Sequence, residues 1–121
     1  MKNEIQMNQL LDSLSKSKFR ASFHLNQKMK EYVKVKGLDK ITSDAYDFIN
    51  QRLAPAFPKN DGKQTPMKQV HPIFIAQHAC GCCCRSCLMK IHHIPKERKL
   101  TQEEIDYIVE FLILWIKREI K

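Results

Sequence analysis

Cys80, Cys82, Cys83, Cys84 and Cys87 fall within eight residues, and the chain has no other cysteine. Imidazoles flank them: His78 on one side, His92 and His93 on the other, with His71 a little upstream. Thiolate and imidazole are the ligands zinc takes, about four at a time and closely spaced in pairs. Cys84-x2-Cys87 has the spacing of a zinc knuckle, and Cys83-x3-Cys87 would set two thiols on one face of a helical turn. Any four of the His78–His93 ligands could close a tetrahedral site. The segment is therefore expected to bind a metal, zinc first, with iron or an iron–sulfur cluster as the alternative. The competing explanation is packing, since a free cysteine is often a small buried hydrophobe. That explanation suits one or two cysteines better than five thiols and three imidazoles in sixteen residues. A redox role is a further option, because Arg85 and Lys90 would favour a neighbouring thiolate.

The same clustering excludes a disulfide framework. Scaffolds of that kind spread their cysteines to close loops, and here the count is odd. The start, MKNEIQMNQL, lacks the apolar core of a signal peptide, and no run of eighteen apolar residues occurs. A cytoplasmic protein with no membrane contact is expected. At 121 residues, 43% of them apolar and 28% charged, the chain reads as one globular domain over 1–121. Whether that domain is an enzyme is left open by the sequence.

A site of this kind needs elements to position it, and the periodicity is helical. Ile5, Leu10, Leu11 and Leu14 suggest a first helix. A second is expected after Ser22, with Phe23, Met29, Tyr32 and Val33 on it and Gly37 at its end. A third is expected from Ser43 to Leu53, stopped by Pro55. Residues 55–72 carry four prolines and an Asn-Asp-Gly turn signal, and read as a long functional loop. Ile73–Ala76 is read as the entry to a helix, and 76–95 as the Cys/His segment. The clearest element is a helix over 101–120, opened by a Thr101/Glu104 capping box. Its stripe runs Ile105, Ile108, Val109, Leu112, Trp115, Ile116, Ile120. Phe111 and Leu114 lie outside that stripe, and a helix apolar on nearly all sides is either central to the domain or shared with a partner chain, which makes their side a candidate homodimer face. The fold class expected is mainly α: a small helical domain organised around a Cys/His metal site and a long C-terminal helix.

Two further features bear on partners. Between Lys16 and Lys40 there are eight Lys or Arg and two acids, within a chain of net charge +8. Lysines neutralise phosphates and release counterions, so nucleic acid is a candidate partner. A solvated helix face is the plainer explanation, since no aromatic residues interleave with the charge. In the loop, Lys63, Gln64 and Thr65 could hold an anion. Arg20, isolated between Phe19 and Phe23, is expected to pair with a carboxylate such as Asp47 or Asp61. His92-His93-Ile94-Pro95 resembles the His-His-Ile-x-Pro core of HNH nucleases. In that family the His-bearing strand lies well after the first Cys pair, and a second ligand pair and an Asn follow. Here the gap is short, and nothing after Thr101 is Asn or His.

A broader resemblance covers roughly residues 16–120. Its stretches are Lys18-Phe19-Arg20 with Phe23, Asp47-Phe48-Ile49, Arg52-Leu53-Ala54-Pro55, Asn60 to Met67, His71-Pro72 and Phe74 to Ala79. Then come Cys83-Cys84-Arg85, Cys87-Leu88, Lys90, His92, Ile94-Pro95-Lys96 and Leu100-Thr101. With these the chain resembles the DUF4186 family of uncharacterised bacterial and phage proteins. Cys80 and Cys82 depart from that pattern by replacing small residues, and Ile91 and His93 stand where it has Trp and Gly. The resemblance implies His78, Cys83, Cys84, Cys87 and His92 as the ligand set, and implies no reaction. Lys63, Gln64, Thr65, Arg20 and His71 remain secondary ligand-binding candidates. The expected function is a small metal-binding protein acting on or beside nucleic acid. The alternatives are a metal-dependent hydrolase or nuclease, and a helix-mediated interaction module.

Overall fold

Five of the six helices begin at a side chain that accepts a hydrogen bond from the free N–H groups of the first turn. In the computed structural model, which describes residues 1–121, Asn3 opens α1 (Glu4–Leu14) and Asn26 opens α2 (Gln27–Lys36). Helix α3 (Leu38–Arg52) follows at once, α4 (Pro72–Cys80) is opened by His71, α5 (Arg85–His92) by Cys84, and α6 (Gln102–Glu119) by Thr101. A 3-10 turn at Arg20–Ser22 links α1 to α2, and there are no strands. The Thr101/Glu104 capping box forms as expected.

Some boundaries shift for identifiable reasons. Helix α1 buries Met7 and Leu11, while Ile5 is exposed. Phe23 precedes α2, because the Asn26 side chain caps Met29 N and sets the start there. Helix α3 begins five residues before Ser43. Gly37, at φ +84, ends one helix and starts the next, so no capping side chain marked that boundary.

Helix α4 is buried at every position, Pro72 through Cys80. It lies among α1, α2, α3, α6 and the 3-10 turn. Helix α6 packs on α3 and α4 and buries Ile105, Ile108, Val109, Leu112 and Ile116. Phe111 is also fully buried, so it belongs to the core and not to an open face; Leu114 is half-buried. No helix is long and apolar enough to cross a membrane. At the end of α4, Gly81 takes the left-handed conformation (φ +70), and a Cβ there would collide with the Ile91 side chain on α5. Glycine thus lets α4 and α5 close on the loop between them.

That loop is anchored from beneath by Arg85. Its guanidinium is 1% exposed and meets no carboxylate. Instead it donates to four backbone carbonyls: Leu53 (3.3 Å), Pro55 (2.8 Å), Pro95 (2.7 Å) and Arg98 (2.9 Å). One side chain therefore joins the exit of α3, the exit of α5 and the approach to α6. Lysine cannot offer this fork of donors. Replacing Arg85 by Lys or Met should lower unfolding free energy by about 3–5 kcal/mol in urea titrations, since it leaves buried acceptors unpaired.

Candidate metal centre

Cys84 is the N-cap of α5, and its Sγ accepts from Cys87 N at 3.4 Å. This capping brings the two sulfurs to 3.3 Å. Cys83 sits one residue outside the helix, and its carbonyl accepts the Thr65 hydroxyl at 2.8 Å. Gln77 Nε2 donates to the Cys82 carbonyl at 3.0 Å. The loop is thus pinned from α4 and from the Pro-rich segment. As a result the Sγ atoms of Cys83, Cys84 and Cys87 all lie within 4.8 Å of one another, a cluster that could hold a metal ion.

The cation beside the thiols is Arg20, from the 3-10 turn. It donates to the His78 carbonyl (2.7 Å), to Cys87 Sγ (3.2 Å) and to Cys83 Sγ (3.6 Å). No carboxylate takes it, contrary to the pairing with Asp47 or Asp61 expected from sequence. Arg85 and Lys90 do not serve the thiols either: Arg85 is spent on carbonyls, and Lys90 is exposed. Sequence neighbours at a helix start point in different directions, whereas Arg20 arrives from 63 and 67 residues away.

The charge balance follows from these contacts. A hydrogen bond from Cys87, aided against burial by Arg20, holds the Cys83 thiol down at about 7. The Cys87 thiol, donating to Cys83 and partly buried, is pushed up to about 12. Burial raises Cys84. One thiolate is therefore easily carried beside Arg20, and further ionisation needs another cation. A divalent metal supplies that charge.

The two candidate histidines stand outside the cluster. The His78 ring stacks on Phe23, with Nε2–H donating to the Thr65 carbonyl at 3.0 Å. Its Nδ1 is then the ring's free lone pair. His92 lies deeper. Nε2–H donates to the Cys80 carbonyl (2.8 Å), Nδ1 accepts the Tyr107 hydroxyl (2.8 Å), and Cys82 Sγ is 3.4 Å away. Cys80 and Cys82 are fully buried, and desolvation keeps both protonated. His92 and His93 sit at the end of a helix, not on the strand that the nuclease resemblance would require.

The secondary candidates have structural partners. His71 Nδ1 caps Ile73 N (3.0 Å), and its Nε2–H donates to Asp44 (3.0 Å). Gln64 is buried and bonded to Gly62 N and Asp61, while Lys63 is exposed. Thr65, Arg20 and Tyr107 prove to be the residues that tie the site to the fold. Only Tyr107 had no sequence signal apart from its place on a helix.

Burial lowers His92 from its ordinary value to about 4. The unfolded chain then binds the proton first as pH falls. Stability is complete above about pH 6.5 and declines toward pH 4, by about 3 kcal/mol. Urea denaturation across that range should show this slope, and His92→Gln should flatten it.

No solved structure matches the chain. The family described as a domain of unknown function, DUF4186, matches residues 8–117, nearly the whole chain. Through these residues, the cysteine cluster included, the protein belongs to the DUF4186 family.

Proposed function

We propose that the protein is a zinc-binding protein whose ion is held by Cys83, Cys84 and Cys87. The observation that carries this reading is the convergence of three sulfurs within 4.8 Å, with Arg20 as the only cation bonded to them. Zinc bound by three thiolates carries one net negative charge, which the guanidinium offsets. Iron would suit the same soft ligands, and metal analysis separates the two. The fourth position falls to solvent or to His78 Nδ1. With solvent there, the ion would be open to substrate, as a metal-dependent hydrolase requires.

Protein purified under reducing conditions should contain about one zinc per chain by elemental analysis. Cys87→Ser should lose it, whereas His92→Ala should keep it while losing stability. His78→Ala separates the two forms of the site: retained zinc marks the open position, and lost zinc marks a closed one. Folded, metal-free wild-type protein would overturn the reading.

A second reading concerns nucleic acid. Lys28, Lys34 and Lys36 on α2 are exposed, and none pairs with a carboxylate. Three phosphate contacts from these lysines would give a slope of about −2.7 in log affinity against log salt. Fluorescence polarisation with a short DNA duplex measures it, and Lys34→Glu with Lys36→Glu should abolish the binding. A flat salt response would exclude this surface.

A further inference from the structure

The cluster contains one pair closer than metal binding requires. Cys84 and Cys87 are the cap and third residue of one helical turn, their sulfurs 3.3 Å apart. A Cys-x-x-Cys pair at a helix start is a geometry in which a disulfide closes without unwinding the helix. Cys87 is partly exposed beside the exposed Ser86, so a small oxidant can reach it. Cys80 and Cys82, by contrast, are fully buried. Arg20 contacts Cys87 at 3.2 Å and Cys83 at 3.6 Å, so the shared cation offsets the charge that the Cys87 sulfur gains as its proton leaves during attack.

We propose that Cys84 and Cys87 are a reversible oxidation site, a dithiol that small peroxides convert to a disulfide. The Cys87 sulfur attacks a peroxide oxygen, and the O–O bond breaks. For hydrogen peroxide this leaves a sulfenic acid on Cys87 and releases water, the Cys87 proton going to the departing oxygen. The Cys84 sulfur then attacks the Cys87 sulfur. The S–S bond forms, the S–O bond breaks, and a second water leaves with the proton from Cys84. The two sulfurs lose two electrons and the peroxide gains them. The disulfide takes away two of the three thiolates that would hold zinc, so oxidation and metal binding exclude each other. The disulfide itself needs no metal.

The sequence supplies a direct readout. Trypsin cleaves after Arg85, which separates Cys84 from Cys87, and Cys87 is then the sole cysteine of Ser86–Lys90. Reduced, chelator-treated full-length protein is exposed to hydrogen peroxide, blocked and digested. The expected product is Ser86–Lys90 linked to the peptide containing Cys84, with fragmentation placing the bond on Cys84. Dithiothreitol should reverse it. Cys84→Ser should lower the yield of linked peptide by about tenfold. Fragmentation of the wild-type product assigns the bond even if a variant fails to fold. No linked peptide, a bond placed on Cys83, or over-oxidation of Cys87 without a link would each overturn the proposal. A parallel run on zinc-loaded protein should release zinc in step with the link. Protein that never binds zinc but still forms the link would refute the metal reading alone.

Discussion

A buried guanidinium without a carboxylate is stable only if its donors find fixed acceptors. Arg85 places both terminal nitrogens on four carbonyls of two loops, Leu53 and Pro55 in one and Pro95 and Arg98 in the other, and only its Nε is left without a partner. Those segments are loops with no helix of their own to satisfy their carbonyls. Arg85 is also the first residue of α5, directly after the Cys84 cap. The frame of the cysteine site and the packing of the Pro-rich loop are therefore set by the same side chain. The thiols lie close together because the Cys84 cap and the Thr65 and Gln77 contacts hold the loop, while Arg85 fixes the start of α5 against its neighbours.

Above that frame, the site is governed by charge. Three sulfurs confined near one another cannot all ionise beside a single arginine. The cluster must either stay mostly protonated, take up a cation, or lose electrons and form a bond. Metal binding and disulfide formation are two answers to one electrostatic constraint. The deeper Cys80–Cys82–His92–Tyr107 group answers a different one. There, neutral partners satisfy both imidazole nitrogens, and the thiols behave as apolar atoms.

Much of the helical framework was legible, because capping boxes and apolar spacing are local. Thr101 with Glu104, the stripe from Ile105 to Ile116, and Gly37 at a helix end could each be read within a few residues. The failures were equally specific. Helix α3 started early because Gly37 serves two helices. Of the two readings of the apolar Phe111 side, central helix or partner face, the core takes Phe111, because α6 is covered on more than one side. Arg20 stands beside the thiols where Arg85 was expected, and Arg85 turns to backbone carbonyls, since adjacency in sequence says little about which way a side chain points.

The amino-acid sequence by itself determined that this is a helical protein with a soft-ligand cluster between Cys80 and His92, because residue types and short spacings are local properties. Through the family resemblance it marked His78, Cys83, Cys84, Cys87 and His92 as candidates, of which the fold gathers only the three thiols, and Cys80 and Cys82 as departures from the pattern. Only the tertiary structure decided which thiols meet and which cation faces them. Arg20, Thr65 and Tyr107 reach the cysteines and His92 across spans of 15 to 67 residues. Such contacts depend on how helices pack, and no spacing within one segment encodes them.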